Sequence, residues 1–101
     1  MNEKIRNESL DRLFSAILLL KDMEEAYHFF EDICTVHELK AMSQRLEVAA
    51  MLMESCTYAS IGERTGASTA TISRVNRCLH YGADGYQTIL KRLQPNETED
   101  V

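Results

Sequence analysis

Apolar positions recur at helical spacing along almost the whole chain. Leu10, Leu13, Phe14, Ile17 and Leu18 fall on one face of a first helix. Asp22-Met23-Glu24-Glu25 has the form of a capping box, in which a side-chain acceptor starts a helix and a glutamate three residues on reaches back. Met23, Ala26, Tyr27, Phe30 and Ile33 give that second helix its stripe. Thr35-Val36-His37-Glu38 repeats the box and predicts a third helix running to about Ser55, with no Gly or Pro inside it. The second half of this helix, Leu46 to Met53, is apolar nearly all round, and such a helix must be covered on every side. A chain of 101 residues buries a limited fraction of its surface. The pattern therefore predicts a homodimer with the third helix central, the alternative being that the first two helices wrap it within one subunit.

After Ser55-Cys56-Thr57 the elements shorten. A brief helix is expected from Tyr58 to about Thr65, a turn at Gly66-Ala67-Ser68, and a helix from Thr69 to Leu79 or His80. Gly82-Ala83-Asp84-Gly85 breaks the pattern. A last helix carries Tyr86, Ile89, Leu90 and Leu93 on one face and stops at Pro95. Nothing alternates as a strand would. The expectation is an all-α chain with one domain over residues 1–94 and a disordered acidic tail over 95–101.

Residues 58–79 meet the demands of two short helices joined at a steep angle. Gly66 permits the positive φ that ends the first helix and reverses the chain. Gly62 is expected to let the second helix approach closely. Ile61, Ile72 and Val75 fall where such a pair buries its contacts, and Ser68 can cap the second helix. This is the layout of a DNA-binding helix-turn-helix, although an ordinary helical hairpin with a glycine turn shares part of it. Ser68, Thr69, Thr71 and Ser73 offer short donors and acceptors to base edges, and Ala70 can meet a thymine methyl. Arg74 and Arg77 are placed for phosphates, or for a guanine edge if Arg74 turns inward.

The net charge of −5 argues against a nucleic-acid partner until it is divided along the chain. Residues 1–56 carry six basic and eleven acidic side chains, whereas residues 57–94 carry five basic against two acidic. The basic surplus thus falls on the helix-turn-helix and the last helix, as expected of a scaffold carrying a polyanion-binding module. It is a small surplus, and it leaves a second reading open: a protein-interaction module that binds another regulator or a polymerase subunit through the same face. No apolar run reaches membrane-spanning length, and the polar start Met1-Asn2-Glu3-Lys4-Ile5-Arg6 does not read as a signal peptide. Cys34, Cys56 and Cys78 are odd in number and far apart, which points to a reducing cytoplasm rather than a disulfide framework. Cys34 with His37, and Cys78 with His80, match no familiar zinc spacing. No nucleophile–base pair or phosphate-cradling loop stands out, so neither an enzyme nor a cofactor is expected.

The segment Gly66-Ala67-Ser68-Thr69-Ala70-Thr71-Ile72-Ser73-Arg74, with Thr35-Val36-His37-Glu38-Leu39-Lys40-Ala41-Met42-Ser43-Gln44-Arg45 upstream, resembles the Trp-repressor family of bacterial transcription regulators. More closely it is similar to the Trp-repressor-related branch called YerC/YecD, and the likeness spans about residues 10–93. The resemblance implies a six-helix fold in an intertwined homodimer, with a helix-turn-helix reading head on either side of a shared core. It also implies a regulator of transcription, most simply a repressor, that binds double-stranded DNA.

The founding member of the family uses tryptophan as corepressor, held by two arginines that sandwich the indole. Those arginines match Arg45 and Arg74 here, and a pocket threonine matches Thr35. Other positions depart. Val75 stands where the family has the glycine that leaves a slot for the indole, and Cys78 stands for a pocket serine. The resemblance with these departures implies that tryptophan does not bind in the known manner. Either the protein acts without ligand, or a smaller anionic metabolite is held by Arg45 and Arg74. Ala59 and Gly62 replace basic positions of the first helix of the motif, and Thr69 and Ser73 vary on the second, while Ala70 is kept. A different operator is therefore expected, with water-bridged contacts and DNA shape carrying much of the specificity.

Overall fold

Helix starts in this chain are set by side chains that accept hydrogen bonds from amides left free in the first turn. The computed structural model describes residues 6–93, so the tail expected over 95–101 lies outside the described residues. The described chain forms six helices and no strand: α1 (Glu8–Ile17), α2 (Met23–Ile33), α3 (Val36–Met53), α4 (Tyr58–Thr65), α5 (Thr69–Tyr81) and α6 (Gly85–Leu93). The chain divides into two compact units, Met1–Lys40 and Ala41–Val101, the division falling within α3.

In the first unit, Asn7 accepts from the Leu10 amide at 2.8 Å and starts α1. Asp22 accepts from the Glu25 amide at 2.8 Å, and the Glu25 carboxylate accepts from the Lys21 amide at 2.9 Å. The reciprocal bond thus reaches one residue beyond the cap. At α3 the box closes fully: the Glu38 amide donates to the Thr35 hydroxyl at 3.1 Å, and the Thr35 amide donates to the Glu38 carboxylate at 2.8 Å. That donation from the Thr35 backbone, with a second from its hydroxyl, holds the Glu38 carboxyl below its ordinary value. No residue of α1 or α2 is fully buried. Leu18, Leu19, Met23, Tyr27 and Val36 are all more than 60% exposed. Of the stripes predicted for these helices, Phe14, Leu18, Met23, Tyr27 and Ile33 are exposed and Leu10, Leu13, Ile17, Ala26 and Phe30 are half-buried.

In the second unit a single core forms from Val48, Ala49 and Met51 of α3, Ile61 of α4, Ala67 of the turn, Ile72 and Val75 of α5, and Leu90 of α6. Leu46, Ala50, Leu52 and Met53 pack on it only in part. The apolar segment of α3 is thus buried at three positions and half-covered at its other apolar ones, with Glu47 exposed. The helix also ends two residues before the expected Ser55. Ser55 adopts φ 64°, its amide donating to the Leu52 carbonyl at 3.0 Å and the Cys56 amide to the Met51 carbonyl at 3.0 Å. This is a Schellman ending built without glycine, which is why the sequence carried no stop signal there. Among the described residues no helix is long and apolar enough to cross a membrane.

Candidate nucleic-acid interface

The candidate interface is built from α4, α5 and the turn between them. Thr57 caps α4, its hydroxyl accepting from the Ser60 amide at 3.1 Å. Gly66 closes α4 at φ 76°, where an L side chain is strained, and its amide donates to the Gly62 carbonyl at 2.9 Å. The Thr65 hydroxyl donates to the Ile61 carbonyl at 2.7 Å and accepts from the Ala67 amide at 3.1 Å, which stiffens the turn. Ser68 then caps α5 by accepting from the Thr71 amide at 3.1 Å. Ile61, Ile72 and Val75 are at most 2% exposed and seal the angle between the helices. The helix-turn-helix expected over 58–79 is present, with α5 running one residue further than expected, to Tyr81. Gly62 is a correction: a methyl there would rest 3.4 Å from the Ala67 carbonyl oxygen, an ordinary contact, so the close approach does not require glycine.

Three stripes run along α5, as 3.6 residues per turn dictates. Ile72, Val75 and Leu79 face the core. Thr71, Arg74 and Cys78 line a recess on a neighbouring face. Thr69, Ala70, Ser73 and Arg77 are exposed, the last three forming the outward stripe. The residues expected to read DNA therefore separate. Thr69, Ala70, Ser73 and Arg77 stand free at the surface. Ser68 is exposed but committed to its own helix, because its hydroxyl also donates to the Thr71 hydroxyl at 3.1 Å. Thr71 is half-buried on the recess side. Arg74 is exposed and belongs to the recess wall beside the outward stripe.

The recess has a volume of about 230 Å³ and brings Arg45 of α3 together with Arg74, Val75 and Cys78 of α5. Both arginines expected to hold a ligand thus line one site. Among the described residues no carboxylate lies within ion-pair distance of either, the one contact of a carboxylate with a basic side chain being Glu24 with the His28 imidazole at 3.5 Å on α2. Val75 is 2% exposed and is shared between the recess wall and the core. A second, more apolar recess of about 570 Å³ shares Arg45, Cys78 and Tyr86 and continues to Met42, Leu46 and Ile89. Thr35, the third residue expected at a ligand site, belongs to the first unit and acts there as the cap of α3.

Sequence reasoning missed two residues of the site. Tyr86 of α6 lines both recesses. Gln44 of α3 lines the smaller recess, and its side-chain amide donates to the Thr65 carbonyl at 3.1 Å. The available signal for Gln44 was a polar residue one position before a pocket arginine, on a helix whose later turns are apolar. Among the described residues no group of three metal-ligating side chains converges, and Cys34, Cys56 and Cys78 are free thiols.

Comparison with known proteins agrees with this geometry. The family described as Trp repressor protein matches residues 8–94. The uncharacterized protein YerC of Bacillus subtilis is 57% identical over 97 residues, covering 96% of this chain and 93% of its own. The crystal structure of a TrpR-like protein from Eubacterium eligens is 59% identical, with a TM-score of 0.88 over 91% of this chain and 95% of its own. A second solved structure, from Staphylococcus aureus, is 55% identical, with a TM-score of 0.87 over 90% of this chain and 91% of its own. By sequence and by fold, the chain belongs to the Trp repressor family, in its YerC-related branch.

Proposed function

We propose that the protein is a sequence-specific, double-stranded-DNA-binding regulator of transcription, a repressor that acts in the cytoplasm as a homodimer. The observation that carries this reading is the exposed edge of Thr69, Ala70, Ser73 and Arg77 on a capped, tightly turned α5. Short hydroxyls and a methyl suit base edges in a major groove, and Arg77 with Arg74 suits the flanking phosphates. Ser68 and Thr71, also expected at the DNA, are bonded to one another through their hydroxyls at the start of α5. Family membership favours the same reading. The homodimer is favoured by the apolar side chains of α1 and α2 that stay exposed, among them Phe14, Met23, Tyr27 and Ile33, since clustered exposed apolar residues mark interaction surfaces.

The recess of Arg45 and Arg74 is the candidate effector site. Its volume lies below the roughly 300–1,000 Å³ usual for small-molecule pockets, and Val75 takes up space beside the arginines. A small anionic ligand suits it better than tryptophan. Titration calorimetry with L-tryptophan is expected to show no binding in the micromolar range, and micromolar binding would refute the occupied slot.

Selection of bound fragments from random duplex DNA tests the main reading. A palindromic consensus, retained at low salt and released as salt rises, is the expected result. Recovery of no sequence preference, with salt-insensitive capture of a protein partner instead, would favour an interaction module using the same face.

A further inference from the structure

The orientation of the reading head has to be fixed against the scaffold, and apolar packing alone does this poorly because it is non-directional. Among the described residues, the side-chain hydrogen bond that ties α3 to the helix-turn-helix is the one from Gln44 to the Thr65 carbonyl, 3.1 Å long and half-buried. The remaining side-chain bonds join residues within eight positions of one another. Thr65 is the last residue of α4, so its carbonyl has no amide partner within its own helix. Its side chain already holds the turn from the other side through Ile61 and Ala67. A methyl built on Gly66 would lie 4.0 Å from the Gln44 side-chain nitrogen, so the amide rests against the turn itself.

We infer that Gln44 is a positioning residue for DNA recognition: a directional strut that registers the turn at Gly66, and hence the edge of α5, against α3. The inference rests on the DNA-binding reading for its consequence but not for its geometry. The strut is a bond to backbone, so it acts whatever side chains the outward stripe presents. Without it the Thr65 carbonyl is orphaned and the turn samples a wider range of angles. Contacts that need exact placement, those to base edges, weaken first. Contacts that need only proximity, those to phosphates, survive.

The experiment compares wild-type protein with Gln44→Met, which keeps the shape and loses the donor, and Gln44→Lys, which keeps an N–H donor of similar reach. Amide hydrogen exchange is read by NMR on DNA-free protein. In Gln44→Met, exchange at Gly66 and Ala67, whose amides are bonded in the turn, is expected to quicken about five-fold, the equivalent of one ordinary hydrogen bond. Amides of Ile72 to Leu79 are expected to stay at the wild-type rate, and Gln44→Lys to restore protection at the turn. Affinity of Gln44→Met for the selected duplex should fall by a similar factor, with affinity for random duplex and the salt slope unchanged. Wild-type exchange at the turn in Gln44→Met overturns the inference, and so does a uniform loss of protection through α5, which would mark a merely structural residue. If Gln44→Met does not fold, the wild-type Gln44 side-chain amide decides: exchange as fast as that of the exposed Asn7 amide overturns the strut. Failure of wild-type protein to bind any duplex would refute the DNA reading while leaving the exchange result to decide the strut.

Discussion

Single residues in this chain act mostly through the backbone. Ser68 is the clearest case: read from sequence as both cap and DNA contact, its hydroxyl accepts from the Thr71 amide and donates to the Thr71 hydroxyl. Ser68→Ala is expected to destabilise the fold by about 1 kcal/mol, measured by urea unfolding, while Ser68→Asp retains most of the stability. Gly66 and Ser55 form a matched pair, both left-handed, one glycine and one not. Gly66→Ala should cost about 1–2 kcal/mol and Ser55→Gly should gain up to about 1 kcal/mol, so thermal melts of the two variants move in opposite directions. Glu38 is exposed, and its depressed carboxyl comes first from the Thr35 amide. Because the folded value lies below the unfolded one, its contribution is present above the ordinary glutamate range and lost as pH falls through the folded value. Acid titration followed at the Thr35 amide is expected to show the α3 cap opening only below the ordinary glutamate range. An unchanged Thr35 resonance through that range would remove the bond.

At the scale of elements, much of the fold was legible because helix starts are local chemistry. Asp22, Thr35 and Ser68 each announce a helix with an acceptor, and Gly66 announces the turn, so five of the six helices begin at or within one residue of expectation. The end of α3 was not legible, since Ser55 adopts a left-handed conformation that a serine does not favour, closed by local bonds to Leu52 and Met51. The division of α5 into three stripes was only partly legible. Periodicity gave the core stripe of Ile72, Val75 and Leu79, but which remaining face meets a recess depends on α3 and α6, far away in sequence. Periodicity therefore neither separates Thr71, half-buried on the recess side, from the exposed stripe nor singles out Gln44. Replacing Arg74 and Arg77 together with Ala is expected to weaken binding to all duplexes alike and to flatten the dependence of log K on log salt by about one to two units. An unchanged slope would take both arginines away from phosphate.

For the whole molecule the issue is coverage. The chain leaves Leu18, Leu19 and Met23 more than 70% exposed while giving the second unit a closed core. Sedimentation equilibrium at micromolar concentration is expected to give twice the 11.5 kDa of one chain, and a mass of one chain would overturn the homodimer. In the dimer, two heads would address half-sites about one helical turn apart, roughly 34 Å, which the spacing of a selected palindrome checks. If the heads bind DNA, the acidic surplus of residues 1–56 and the basic surplus of residues 57–94 would favour approach through the helix-turn-helix.

The separation of α5 into stripes bears on how such a regulator diversifies. Thr69, Ala70 and Ser73 touch neither the core nor the recess wall, so they are free to vary without disturbing folding or any occupant of that hollow. A lineage can rewrite its genomic address at these three letters while keeping the same machine behind them. Arg74 is the exception, standing where address and machine meet, and a change there alters both at once.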